Sequence, residues 1–128
     1  MFDGFLAEFA TVLTIILIVM SYRYLFGRGA SDADFAAFGV RTGELVGIVG
    51  GTLYTFLFAR LLMARLSERF VMHGLVVAAT AIAFSVGGSI LGHHGVPAGY
   101  LLASTLKLAA GVLAGLLAQK RTAVLGPA

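Results

Sequence analysis

The sequence contains no cysteine and no tryptophan, and it has only two prolines. Without cysteine the chain can form no disulfide, no thiolate metal site and no cysteine nucleophile. Charged residues are also scarce, since Asp, Glu, Lys and Arg make up 12% of the chain, whereas a soluble domain carries about 25%. This scarcity, together with the abundance of apolar residues, excludes both a disordered chain and an ordinary soluble enzyme.

Apolar residues are abundant and are grouped in long runs. They make up 59% of the chain, and its mean hydropathy is +0.98. A membrane-spanning helix needs about 20 mostly apolar residues, and four runs approach or exceed that length: 5–22, 45–64, 70–91 and 96–118. Runs of this kind must be helical in lipid, because an open sheet edge would leave backbone groups unpaired.

The expected fold class is therefore all-α: a polytopic membrane protein with four transmembrane helices in a compact bundle. A single membrane domain should cover residues 1–128. Its helices are predicted at about 5–24, 34–64, 70–91 and 97–119.

The segment before the second apolar run contains signals for a helix start. Residues 27–30 read Gly-Arg-Gly-Ala and break the first helix, and Ser31 to Asp34 fit a capping box. A row of glycines begins well before the apolar run, so we expect the second helix to be continuous from about Asp34. Arg41 and Glu44 would then lie on one helix face, and we expect them to form an ion pair at the membrane interface.

Basic residues occur singly between the apolar runs. A nucleic-acid partner is not expected, because no basic patch with base-stacking aromatics exists.

The distribution of Lys and Arg favours a cytoplasmic N-terminus and C-terminus, although its narrow margin also fits dual topology. The residues compared are Arg65, Arg69, Lys120 and Arg121 on the cytoplasmic side, and Arg23, Arg28 and Arg41 on the other. The expected location is a bacterial inner membrane, with multiple passes.

The first apolar run is expected to be a permanent helix rather than a signal peptide. Signal peptides place basic residues before the apolar stretch. Here Asp3 and Glu8 occupy that region, and Arg23 and Arg28 follow the run. The charge order therefore favours a helix that is kept.

Glycines recur at helical spacing in two of the runs. Gly39, Gly43, Gly47 and Gly51 lie four residues apart, and Gly111 and Gly115 repeat that spacing in the last run. Residues four apart share a helix face, and small residues there let another backbone approach closely. These glycines are predicted to form a glycine zipper, either within the chain or between copies.

Three ionisable residues lie within the apolar runs, and such residues are functional candidates by default. Arg60 is near a helix end, where its side chain can extend to the interface as an anchor. Lys107 is too deep for that, and its small neighbours predict that it faces protein. With a ~30 Å hydrocarbon core, Glu8 and Lys107 differ by roughly 8 Å in depth, which a lysine side chain can bridge.

Other acceptors for Lys107 remain open at this point. Glu44 is the rival carboxylate, and the hydroxyls of Thr11 and Thr52 are further candidates. A structural ion pair and a role in proton or ion movement both fit these residues.

No catalytic motif, cofactor motif or metal site appears in the sequence. His73 is separated from His93 and His94 by a full helix of ~30 Å, so the three cannot share a metal. We therefore expect no enzyme, no catalytic residue, no metal and no cofactor.

Two classes of function are compatible with the sequence. The first is a homo-oligomer or an accessory subunit of a larger membrane complex, with the lipid bilayer and other membrane subunits as partners. The alternative is a small ion or solute transporter or channel that uses Glu8 and Lys107. A holin-like pore is a weaker third possibility.

Overall fold

The computed structural model describes residues 2–27, 29, 31–91 and 99–125, and every regular element in this part of the chain is helical. The four helices are α1 (Phe2–Phe26), α2 (Asp32–Met63), α3 (Phe70–Leu91) and α4 (Gly99–Leu125). Each is long and apolar enough to cross a membrane. The expectation of an all-α chain with four such helices is confirmed. His93 and His94 lie outside the described residues.

The start of α2 is set by a capping box. The Ser31 hydroxyl accepts a hydrogen bond from the Asp34 backbone N–H at 3.2 Å, and the Asp34 carboxylate accepts one from the Ser31 N–H at 3.2 Å. These bonds satisfy donors that the first helical turn cannot pair internally. The helix begins at Asp32, two residues before the expected start, so it projects well beyond the apolar run.

A π-helical segment interrupts α2 at Val46–Gly50. Such segments are rare, and they occur frequently at functional sites. The sequence contained no signal that predicted it. The helix continues without a break into Gly51–Met63.

The expected ion pair between Arg41 and Glu44 is wrong. The structure records no ion pair between these two side chains, both of which are described and exposed. The Glu44 carboxylate instead extends toward α4, where its Oε1 lies 3.2 Å from the position that a Cβ of Gly99 would occupy. The Glu44 side chain therefore lies near the start of α4 and not against Arg41.

Helices α3 and α4 meet through glycine. A Cβ at Gly111 would collide with the carbonyl oxygen of Gly74, and a Cβ at Gly74 would collide with that of Gly111. One turn further along, a Cβ at Gly115 would lie 2.6 Å from the Val71 Cα. The two backbones can approach this closely only because no side chain separates them.

The dry core lies at the same end of the molecule as this glycine contact. It joins α2, α3 and α4 through six buried apolar residues: Ala59, Met63, Phe70, Val77, Ala114 and Ala118. Helix α1 joins the assembly through Gly4, where a Cβ would lie 2.5 Å from the Val77 carbonyl oxygen. Small residues therefore set the spacing of all four helices here.

At the opposite end, the C-terminal part of α1 packs on the projecting part of α2. The rings of Tyr22 and Phe38 are stacked, with centroids 3.8 Å apart and planes 15° apart. The Arg23 guanidinium lies 5.1 Å from the centre of the Phe35 ring. These contacts hold the first half of α2 against α1.

Replacing Phe38 by Ala should loosen this end of α2. The ring pair is worth about 0.5–1.5 kcal/mol beyond the area that it buries. Amide hydrogen exchange in detergent should therefore accelerate within residues 32–45, while the glycine-packed end stays protected. A Phe38→Tyr control keeps the ring and should leave exchange unchanged. Unaltered exchange in Phe38→Ala would show that the stack does not hold the segment.

Candidate functional site

A buried ion pair joins α1 to α4. The Lys107 ammonium donates a hydrogen bond to Glu8 Oε2 at 2.6 Å. Ser85 of α3 donates to Glu8 Oε1 at 2.9 Å, and Lys107 Nζ lies 3.4 Å from the Ser85 Oγ. Three helices therefore contribute one polar residue each to a single cluster, which we call the Glu8–Lys107–Ser85 cluster.

The two charged members of the cluster differ in exposure. The Lys107 side chain is 3% exposed and that of Glu8 is 15% exposed. The ammonium is thus enclosed by protein, whereas the carboxylate still has an open side. Of the acceptors that the sequence left open, the structure pairs Lys107 with Glu8.

Gly51 of α2 lies beside the Lys107 side chain where that side chain crosses toward Glu8. A Cβ at Gly51 would lie 2.8 Å from the Lys107 Cε and 3.4 Å from its Nζ. The missing side chain on α2 leaves room for the lysine stem to cross toward α1. Gly51 therefore contacts a side chain here and not the backbone of a neighbouring helix.

A half-enclosed cavity of about 850 Å³ reaches the open side of Glu8. This volume lies within the range typical of small-molecule sites, roughly 300–1,000 Å³. Lys107 is not part of the lining. Among the described residues, those that line the cavity are Glu8, Thr11, Val12, Ile15, Ala36, Gly39, Val40, Gly43, Glu44, Gly47, Ile48, Phe84, Ser85, Gly88, Ser89, Gly99, Tyr100 and Ala103.

Three of the predicted zipper glycines form one wall of this cavity. A Cβ at Gly39, Gly43 or Gly47 would meet no atom within 4 Å among the described residues. They make no close backbone contact with any residue that the structure describes, and a contact between copies stays a prediction. Gly111 and Gly115, in contrast, lie against the backbone of α3.

The remaining predicted residues lie at the edges of the site. Glu44 is exposed and belongs to the cavity lining. Arg60 is partly exposed in the last turn of α2 and forms no ion pair with the residues that the structure describes. The hydroxyls of Thr11 and Thr52 donate to carbonyl groups of their own helices.

Sequence reasoning missed the role of Ser85 and the cavity itself. Ser85 has no carboxylate or base near it in the sequence, and its partner lies on a helix 77 residues away. Within the described residues, no group of three or more His, Cys, Asp or Glu is placed to hold a metal ion. Glu8 is the charged member of the cluster that keeps an open side, so it is the group at which the cluster can meet a charged or polar ligand.

Comparison with protein families, with curated proteins and with solved structures finds no match to this chain. The cavity and the Glu8–Lys107–Ser85 cluster are therefore the features of the chain that point to a function.

Proposed function

We propose that the chain is an integral membrane protein with four spanning helices. In the most apolar 18-residue stretch of each helix, only 17% of α1 and 33% of α4 is buried inside the protein. Large apolar side chains such as Leu17, Leu53 and Leu101 point outward and are more than half exposed. Soluble proteins rarely expose apolar patches of this extent, whereas lipid would cover them.

We further propose that the protein moves an ion or small solute through the cavity that ends at Glu8. The observation that carries this proposal is the contact between an open cavity and a buried ion pair. Charges inside a membrane protein mark ion and substrate pathways, because burying them without a purpose is costly. A purely structural ion pair needs no such access.

The cluster has the parts that a translocation site needs. Glu8 presents one side to the cavity and accepts hydrogen bonds from Lys107 and Ser85 on the other. A proton would neutralise Glu8 and a bound cation would offset its charge, so either would weaken the attraction of Glu8 for Lys107. Because the two residues lie on α1 and α4, occupancy of the cavity would alter the contact between those helices.

Filling the cavity should abolish transport without unfolding the protein. Gly43→Leu places a side chain into open space on the cavity wall, so the helices need not move apart. Purified protein in liposomes should pass at least one of H⁺, Na⁺, K⁺, Cl⁻ and the organic cation tetraethylammonium down an imposed gradient. The Gly43→Leu flux should fall to that of protein-free vesicles.

Gly87→Leu is the matched control. A Cβ at Gly87 also meets no atom within 4 Å, but Gly87 does not line the cavity. Its flux should equal that of the unchanged protein. If none of these five ions crosses faster than in protein-free vesicles, the proposed transport is contradicted.

The accessory-subunit or homo-oligomer function makes a different prediction for the same glycines. A partner helix seated against Gly39, Gly43 and Gly47 would be displaced by a leucine, so Gly43→Leu would change the mass of the particle in mild detergent. Transport through the monomer predicts an unchanged mass. Native mass spectrometry of both leucine variants separates the two functions.

A further inference from the structure

The charged groups of the cavity are acidic. Among the described residues that line it, Glu8 and Glu44 carry charge, and no Lys, Arg or His is present. The nearest cation, Lys107, lies behind Glu8, and only 2% of the whole residue is exposed. A molecule that enters the cavity therefore meets carboxylate oxygens, which attract cations and repel anions.

The size and lining of the cavity favour an organic cation over a metal ion. Calcium takes six to eight oxygen ligands, and no cluster of metal-binding side chains exists among the described residues. The volume of about 850 Å³ also far exceeds that of one bare ion. Apolar side chains from α1 and α3, including Val12, Ile15 and Phe84, cover much of the wall.

We propose that the cavity binds a small organic cation whose ammonium group is attracted by Glu8 and Glu44. The inference rests on the proposed transport function and names its class of substrate. The apolar part of the ligand occupies the space along Gly39, Gly43 and Gly47, where side chains are missing. The Phe84 ring belongs to the same lining, and aromatic rings attract cations.

Lys107 acts in this site as a fixed internal counter-charge. Its ammonium already holds Glu8 Oε2 at 2.6 Å, which reduces the negative potential that Glu8 presents to the cavity. The ligand is therefore held weakly enough to leave again. Removing the lysine charge should strengthen the attraction for cations, and removing the Glu8 charge should reverse it.

The absence of cysteine allows a direct measurement of this charge preference. An Ala103→Cys variant places one thiol in the cavity lining, and Ala109→Cys places one on an exposed, lipid-facing part of α4. Both are treated in liposomes with the trimethylammonioethyl and sulfonatoethyl methanethiosulfonates. In each case the thiolate attacks the reagent, a mixed disulfide forms and methanesulfinate leaves. Both reactions are run at pH 8.

The measured quantity is the labelling rate with the cationic reagent divided by the labelling rate with the anionic reagent. This ratio is then divided by the same ratio for a small neutral thiol in the same buffer. At Ala103→Cys this ratio should be well above one, whereas Ala109→Cys should not be labelled. Adding Glu44→Gln, at an exposed residue, should lower the ratio roughly threefold to tenfold. Adding Lys107→Met should raise it, and adding Glu8→Gln should lower it further than Glu44→Gln does.

Tetraethylammonium serves as the ligand probe in the same assay. It should slow cationic labelling of Ala103→Cys in proportion to its occupancy, and equal concentrations of sodium benzenesulfonate should not. A normalised ratio at or below one, a ratio unaffected by Glu44→Gln, or no protection by tetraethylammonium would overturn the inference. Because Glu44 lies outside the buried cluster, the comparison with and without Glu44→Gln does not depend on variants that fail to fold.

The outcomes also separate the inference from the proposed function. Labelling of Ala103→Cys by both reagents without charge preference leaves the cavity open and transport possible, but contradicts the cationic substrate. Labelling by neither reagent shows that no aqueous path reaches the cavity, which contradicts transport itself.

Discussion

Replacing Glu8 by Gln while Lys107 remains should strongly destabilise the protein. The ammonium would keep its buried position, with 3% of its side chain exposed, and would lose its only carboxylate among the described residues. Breaking a buried pair from one side costs about 3–5 kcal/mol. Unfolding in mixed detergent micelles, followed by the helical circular dichroism signal, should show a loss of this size.

Replacing Lys107 by Met while Glu8 remains should destabilise the protein less. In Lys107→Met the remaining carboxylate faces the cavity, where water or a proton can compensate its charge, and Ser85 still donates to it. The double variant Glu8→Gln with Lys107→Met should recover most of the stability, because an apolar group can replace a buried charge pair. Equal losses in both single variants would contradict the difference in enclosure that the structure records.

The same variants bear on the function. If the ion pair is structural, Lys107→Met folds and behaves as the unchanged protein does. If the pair belongs to a transport site, Lys107→Met folds yet loses flux. The stability measurement is the control that separates a damaged site from a damaged fold.

One added methyl group at the crossing of α3 and α4 should also destabilise the protein. Gly111→Ala places its Cβ against the Gly74 carbonyl oxygen, and the opposing atom belongs to backbone that cannot rotate away. Overpacking of this kind costs about 1–3 kcal/mol, occasionally more. We expect Gly111→Ala and Gly74→Ala to lower the midpoint of thermal unfolding in detergent, and their combination to prevent folding.

Gly87→Ala is the control on the same helix as Gly74. Its Cβ would meet no atom within 4 Å, so the substitution should be neutral or should stabilise the helix by roughly 0.5–1 kcal/mol, since Ala loses less backbone entropy than Gly. If all three alanine variants unfold at the same temperature, the close approach of α3 and α4 does not limit stability.

Much of the secondary structure could be predicted from the sequence because it depends on local chemistry. Long apolar runs with almost no charge can pair their backbone groups only as helices when lipid surrounds them. The capping box at Ser31 and Asp34 is likewise local, and the structure contains it. The π-helical segment at Val46–Gly50 is the exception, because no residue type specifies it.

The candidate site could be predicted in part. The depth of Lys107 in its apolar run required an acceptor inside the protein, and the sequence left Glu8 and Glu44 as the two carboxylates within reach; the structure selects Glu8. The hydrogen bond from Ser85 could not be foreseen, since it depends on how α1 and α3 are rotated against each other. The failed pair of Arg41 and Glu44 shows the same limit, because helical spacing alone does not fix where an exposed side chain points once a neighbouring helix lies beside it.

The glycine rows separate most clearly what the sequence determined from what the tertiary structure decided. Spacing of four residues placed Gly43 and Gly47 on one face of α2, and Gly111 and Gly115 on one face of α4, as helical geometry requires. In α4 that face meets the backbone of α3, whereas in α2 it opens on the cavity. A missing side chain only creates space, and whether a helix or a cavity occupies that space depends on the elements opposite, which only tertiary packing sets.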